Sequence, residues 1–188
     1  MPKAGSWPPY GSNFSSGTTD AIGVLVESFN DCECALRFIL LVFMRGNILR
    51  NLVVVEQMSS TAVVEGIQAY LAESHHRKKI EDAVKFALKS FETCRANRNS
   101  IVHFGMAWRD AGARKTRLLR VKLRSGRQRF TRDLKVGDVR GVADACHDLM
   151  VYLDDLSVAL GDHLRGKRFI DAQRPHAATL LPWTKKPY

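Results

Sequence analysis

The sequence predicts a mainly α protein, a helical bundle with a small basic β-hairpin inserted before the last helix. Three observations lead to this class. Apolar residues recur at three-and-four spacing along most of the chain, one short segment switches to two-residue alternation, and that segment carries much of the excess charge. At 188 residues the chain is long enough for one domain with a sizeable core. Residues 1–17, rich in Pro, Gly and Ser, read as an extended arm, residues 18–165 as the helical domain, and residues 166–188 as a basic tail with little to bury.

The first helix is predicted by Ile22, Leu25, Val26, Phe29, Leu36, Leu40 and Phe43, with Thr18, Thr19 or Asp20 able to cap its start and Gly46 to end it. Its last two turns are apolar all round, which implies burial on several sides and a subunit contact. Residues 48–58 fit a helix or a strand, with Leu52, Val53, Val54 and Val55 expected inside the fold. Ser59 or Ser60 can cap a short helix through Val63, Ile67, Tyr70 and Leu71, and the run from His75 to Lys79 should be a solvated turn. A long helix follows over residues 77–104 and stops at Gly105, a residue suited to a left-handed cap.

The hairpin is expected at about residues 117–132, where Leu119, Val121 and Leu123 alternate with Arg120, Lys122 and Arg124 before a Ser125-Gly126 loop. That loop sets Arg124 opposite Arg127, Lys122 opposite Arg129 and Arg120 opposite Thr131, all on one face, with Val121 meeting Phe130 on the other. Like charges so opposed are destabilising unless the face is solvated or meets an anion. The last helix keeps Val139, Val142, Cys146, Leu149, Leu153, Leu156 and Leu160 on one side, over residues 138–164.

The formal charge of +10 is concentrated, because residues 109–132 hold ten Lys and Arg against Asp110 alone. Such a surface suits a polyanion, and nucleic acid fits better than a membrane because no basic amphipathic helix accompanies it. Arg120, Lys122, Arg124, Arg127 and Arg129 are the candidate nucleic-acid contacts. The four cysteines show neither a CxxC pair nor zinc-ligand spacing to histidine, so no metal site and no disulfide framework is expected. They read as small apolar residues in a reducing compartment. Residues 38–44 are apolar but too short to span a bilayer, and the first residues do not form a signal peptide, so a cytoplasmic protein without a membrane partner is expected. A Gly-rich phosphate loop of Walker or Rossmann type is missing, which argues against ATP hydrolysis and dinucleotide chemistry. No cofactor is expected.

One position conflicts with its pattern. Ile80, Val84, Ala87, Phe91 and Cys94 follow one face of the long helix, and Arg98 is the next member of that series. A guanidinium aimed at a core costs several kcal/mol unless it is paired, so Arg98 calls for an acidic neighbour or an anionic ligand. Glu33, on the apolar stripe of the first helix, is an equally misplaced acid.

Arg98 and Asn99, with His103 at the end of the helix and Phe104, Gly105 and Trp108 after it, resemble the HEPN superfamily (higher eukaryotes and prokaryotes nucleotide-binding). Its signature is an arginine, four to six residues and a histidine, commonly with a polar residue directly after the arginine. The resemblance implies a HEPN-like helical bundle that dimerises so that two motifs line one cleft, and in many members a metal-independent endoribonuclease. By this analogy the protein suits a toxin or defence effector, a role that leaves room for a neutralising partner protein. In such a site His103 can move a proton near neutral pH, Arg98 can bind phosphate bidentately, and Asn99 can orient the phosphate or the imidazole. Attack of a ribose 2′-hydroxyl on its own phosphodiester would leave a 2′,3′-cyclic phosphate.

On a straight helix, five residues at about 100° each place His103 roughly 140° around from Arg98. Either the helix tightens near Gly105 or the site is composite, with Arg98 and His103 supplied by two subunits, and the composite site is the expectation. A second reading is a noncatalytic binding or scaffold module in which Arg98 and Glu33 are each other's ion pair and His103 complements the helix dipole.

Overall fold

The structure, a computed structural model, describes residues 14–73, 78–103, 106–108, 116–122, 128–182 and 184–186; at residues 106–108, 116, 119–122, 128–130 and 184–186 only the backbone is described. Among the described residues, five helices and a small antiparallel sheet form the fold, in the order α1 (Ser16–Met44), α2 (Ile48–Glu56), α3 (Ser60–Glu73), α4 (Lys78–Val102), β1 (Met106–Trp108), β2 (Thr116–Lys122), β3 (Gln128–Leu134), α5 (Val136–Leu164) and β4 (Thr184–Lys186). The predicted class, mainly α with a hairpin before the last helix, is the observed one.

α1 starts earlier than its apolar pattern does, because Ser15 rather than Thr18, Thr19 or Asp20 is the cap: its hydroxyl accepts a hydrogen bond from the Thr18 amide at 3.2 Å. The helix ends where Arg45 and Gly46 take positive φ, as Gly46 suggested. Ala21, Leu25, Phe29, Cys32, Leu36, Ile39 and Phe43 are buried along it, and α1 makes its most extensive contact with α5. On α5 all seven residues of the predicted stripe, from Val139 to Leu160, are buried. The late turns of α1 are not enclosed on every side, since Phe38 remains 47% exposed.

Asn47 settles the ambiguous segment as a helix. Its Oδ1 accepts hydrogen bonds from the amides of Leu49 and Arg50, each at 3.1 Å, so α2 begins with a satisfied cap. A consequence is that the expected interior run of Leu52 to Val55 is mostly outside. Of the α2 residues only Val55 is buried, while Val53 is 68% exposed. Four consecutive residues on a 3.6-residue period cannot share one face. α3 is capped by Ser59, whose Oγ accepts from Ala62 N at 3.2 Å. It packs closely on α1, where a Cβ at Gly66 would lie 3.3 Å from Leu40.

Along α4 the buried positions Ile80, Val84, Ala87, Phe91 and Cys94 continue to Asn97 and Ile101. Asn97, three residues past Cys94, takes the interior place, and Arg98 sits at the margin, half-buried. Cys32, Cys94 and Cys146 are buried free thiols, and Cys32 Sγ donates to the Cys146 carbonyl at 2.8 Å, which ties α1 to α5.

Among the described residues the sheet has four strands in the order β1-β2-β3-β4, all antiparallel. Leu118 and Leu134 join the core, and Arg117 and Asp133 pair across β2 and β3 at 2.8 Å. The segment beyond Gly166 departs from the expectation of a tail with little to bury. Phe169 is buried, the Tyr152 hydroxyl donates to Asp171 at 3.2 Å, and Arg174 both pairs with Asp171 and lies 5.4 Å from the Phe86 ring centroid. Farther on, Asn97 grips the chain with both ends of its amide: Nδ2 donates to the Thr179 carbonyl and Oδ1 accepts from the Leu181 amide, each at 2.8 Å. The segment then adds β4 to the edge of β3, pairing Thr184 with Thr131 and Lys186 with Arg129. Among the described residues no helix is long and apolar enough to cross a membrane.

Candidate functional site

α4 carries Arg98 and Asn99 in its last turns and ends at Val102, and His103 follows with its amide still donating to the Asn99 carbonyl at 3.0 Å. Arg98 Nη1 lies 3.1 Å from Asn99 Oδ1 and 3.0 Å from His103 Nε2. Asn99 and His103 are exposed. The three predicted residues therefore converge at the surface of one chain. Cβ directions alone separate Arg98 from His103, but the arginine stem is long, and the backbone at His103 has already left the helix. The composite site was expected because one straight helix cannot aim both groups at one point, and this geometry removes that reason.

Arg98 is anchored from below. Its guanidinium carbon lies 5.6 Å from the centroid of the Phe29 ring, which itself stacks on Phe91 at 5.4 Å. Its Nε is buried and has no hydrogen-bond partner, while Nη1 faces the exposed side. A cation held over a ring face, with one edge turned toward solvent, is positioned to meet an anion arriving from outside.

Glu33 has a different partner from the expected one. Its carboxylate accepts a hydrogen bond from Ser60 Oγ at the start of α3, and among the described residues no ion pair joins it to Arg98. A scaffold built on an Arg98–Glu33 pair thus lacks its central contact. Glu33 links α1 to α3, and among the described residues it makes no hydrogen bond or ion pair with Arg98, Asn99 or His103.

The hairpin is shifted by one residue from the predicted register. Arg120 pairs with Phe130, Val121 with Arg129 and Lys122 with Gln128. The Ser125-Gly126 loop required an even number of residues between partners, whereas five, residues 123–127, separate Lys122 from Gln128. Arg129 therefore belongs to the other alternation series from Arg120 and Lys122. Arg124 and Arg127 lie outside the described residues. The only like-charge opposition among the described pairs is Arg129 with Lys186 on β4, a contribution from the tail that local patterning could not reveal.

Sequence reasoning also missed a cavity of about 410 Å3 beside the motif, lined by Thr61, Glu92, Arg95, Ala96 and Asn99. Arg95, Asn99 and His103 are spaced by four residues, a signal present in the sequence. Other candidates contribute nothing. His147 and His176 are exposed, and His163 stands edge-on to Phe169 at 6.2 Å; His75 and His76 lie outside the described residues. The Cys146 thiol is pushed up to about 12 and that of Cys94 higher, chiefly by hydrogen bonding within the thiol cluster and then by burial, so neither is a nucleophile near neutral pH. No group of His, Cys, Asp or Glu among the described residues could hold a metal ion.

Compared with known proteins, the chain matches no family model, no curated sequence and no solved structure.

Proposed function

We propose that this chain is a HEPN-like RNA-binding protein that cleaves RNA without a metal ion, using Arg98, Asn99 and His103. The observation that carries the reading is the convergence of the three side chains, with Arg98 Nη1 at 3.0 Å from His103 Nε2 on an open surface. Guanidinium has no acceptor, so in the proposed mechanism the imidazole nitrogen facing it is the acceptor. A neutral imidazole beside a fixed cation is the state required to take a proton from a ribose 2′-hydroxyl. The resulting alkoxide attacks the adjacent phosphorus, the bond to the 5′-oxygen breaks, and the leaving oxygen takes a proton from water while protonated His103 returns its own to solvent, so that a 2′,3′-cyclic phosphate and a 5′-hydroxyl result. Arg98 leaves His103 to bind the phosphate oxygens as negative charge grows on them, and Asn99 holds the arriving phosphate or the ring.

The basic hairpin supports RNA as the partner, and β4 adds Lys185 and Lys186 beside Phe130 and Arg129. In this proposal the protein works in the cytoplasm as a toxin or defence effector, as a homodimer, and under the control of a neutralising partner. The noncatalytic alternative rested on Arg98 pairing with Glu33, and Glu33 is instead bound to Ser60. End analysis of an end-labelled RNA incubated with the protein in excess chelator tests the mechanism. Fragments ending in 2′,3′-cyclic phosphate are expected. Fragments ending in 3′-hydroxyl would refute this route.

A further inference from the structure

We infer that the cavity lined by Thr61, Glu92, Arg95, Ala96 and Asn99 is a base-recognition subsite that selects guanine next to the scissile phosphate. The inference rests on the proposal that Arg98, Asn99 and His103 face RNA, and it deepens that reading by naming the base. The cavity's volume, about 410 Å3, lies within the roughly 300–1,000 Å3 range of small-molecule sites. Asn99 belongs to both the cavity and the motif, so a nucleotide seated here is joined directly to the phosphate at Arg98.

The polar groups are held in place before any ligand arrives. Arg95 Nη1 donates to Thr61 Oγ1 at 2.7 Å, and Arg95 Nη2 donates to Glu92 Oε2 at 2.6 Å. The guanidinium thereby bridges α3 and α4 at the surface. Each of its terminal nitrogens keeps a second proton, and among the described residues Glu92 Oε1 makes no hydrogen bond. The cavity therefore offers a carboxylate acceptor directly beside an arginine donor. Guanine matches that order: N1–H and N2–H donate to the carboxylate while O6 accepts from Arg95. Adenine and cytosine place only one N–H group on that edge, and uracil sets two carbonyls about its single N–H, so each satisfies the pair less well. Ala96 leaves room on the helix surface for the flat ring.

Calorimetric titration of the full chain with 3′-GMP, 3′-AMP, 3′-CMP and 3′-UMP tests the inference without requiring cleavage. Wild type should bind 3′-GMP about tenfold more tightly than the others, the scale of one bidentate base contact. In Glu92→Gln the amide presents an NH2 group to guanine's donors, so the preference should disappear while the melting temperature stays within about 2 °C of wild type. His103→Ala should keep the preference. Four affinities within about twofold of one another, no binding, or a preference that survives Glu92→Gln would overturn the inference. A guanine preference in a protein that leaves RNA intact would uphold this subsite and refute the catalytic proposal; RNA cleavage without any nucleotide preference would do the reverse.

Discussion

Arg98 Nη1 and His103 Nε2, five residues apart in the chain, stand 3.0 Å apart at the end of α4. The contact covers one imidazole nitrogen with a cation that, in the proposed mechanism, a phosphate would draw away. Removing the arginine should therefore uncouple two effects. Arg98→Ala loses the stacking on Phe29 and frees the ring, so RNA cleavage should fall by about a hundredfold or more, with a modest loss of stability near 1 kcal/mol. Arg98→Lys should rescue little of the activity, because an ammonium cannot bind phosphate bidentately. Single-turnover cleavage and urea unfolding measure the two effects separately.

Glu33 offers a direct check on the arrangement of α1, α3 and α4. Its bond runs to Ser60, so Glu33→Gln, which keeps a hydrogen-bonding group, should change stability by no more than about 0.5 kcal/mol, and Glu33→Ala by about 1 kcal/mol. Breaking a buried ion pair with Arg98 would instead cost about 3–5 kcal/mol. Urea unfolding of the two variants distinguishes these outcomes.

Asn97 holds the tail by two bonds of 2.8 Å. Asn97→Ala leaves the Thr179 carbonyl and the Leu181 amide without those partners and should cost about 1–3 kcal/mol. Hydrogen exchange across residues 176–182 should accelerate more than that of α5. Uniform acceleration along the whole chain would show that the amide is not a local clamp.

Alkaline pH should weaken the fold through its thiols. In the native state Cys146 is raised from 9.0 to about 12, and Cys94 is raised further. Above pH 9.0 the unfolded chain releases thiol protons that the folded chain retains, so the stabilisation present at lower pH declines from 9.0 up to about 12. Cys94→Ala with Cys146→Ala should flatten this decline, as measured by urea midpoints across that window.

Helix faces were legible where periodicity is the whole signal. The α5 stripe from Val139 to Leu160 is buried as its spacing predicts, and α1 differs in using Ser15 as its cap and in leaving Phe38 exposed. Less was legible where one residue decides between alternatives of similar strength. At Cys94 the next interior position could be three or four residues on, and burial of Asn97 left Arg98 at the edge. The hairpin register turned on a loop whose length cannot be read from Ser125-Gly126 alone. The Asn97 grip on Thr179 and Leu181 joins residues more than eighty positions apart, for which local patterning carries no signal. The motif residues themselves were named from the sequence. Their convergence was not, because helical angles track Cβ directions and not the reach of an arginine side chain.

The basic surface gives a salt test of the partner class. With about six phosphate contacts, affinity for single-stranded RNA should fall by roughly a hundredfold or more between about 50 and 200 mM salt. Charge reversal at Arg120 and Lys122 should reduce the slope of log K against log salt. An affinity insensitive to salt would exclude the hairpin as a phosphate-binding surface.

Whether the Arg98–His103 pair does chemistry is decided by the cleavage rate of an end-labelled RNA by His103→Ala against wild type in chelator. The proposed mechanism predicts a loss of about a hundredfold or more with an unchanged melting temperature. Equal rates for the two proteins, or intact RNA after incubation with wild type, would contradict it.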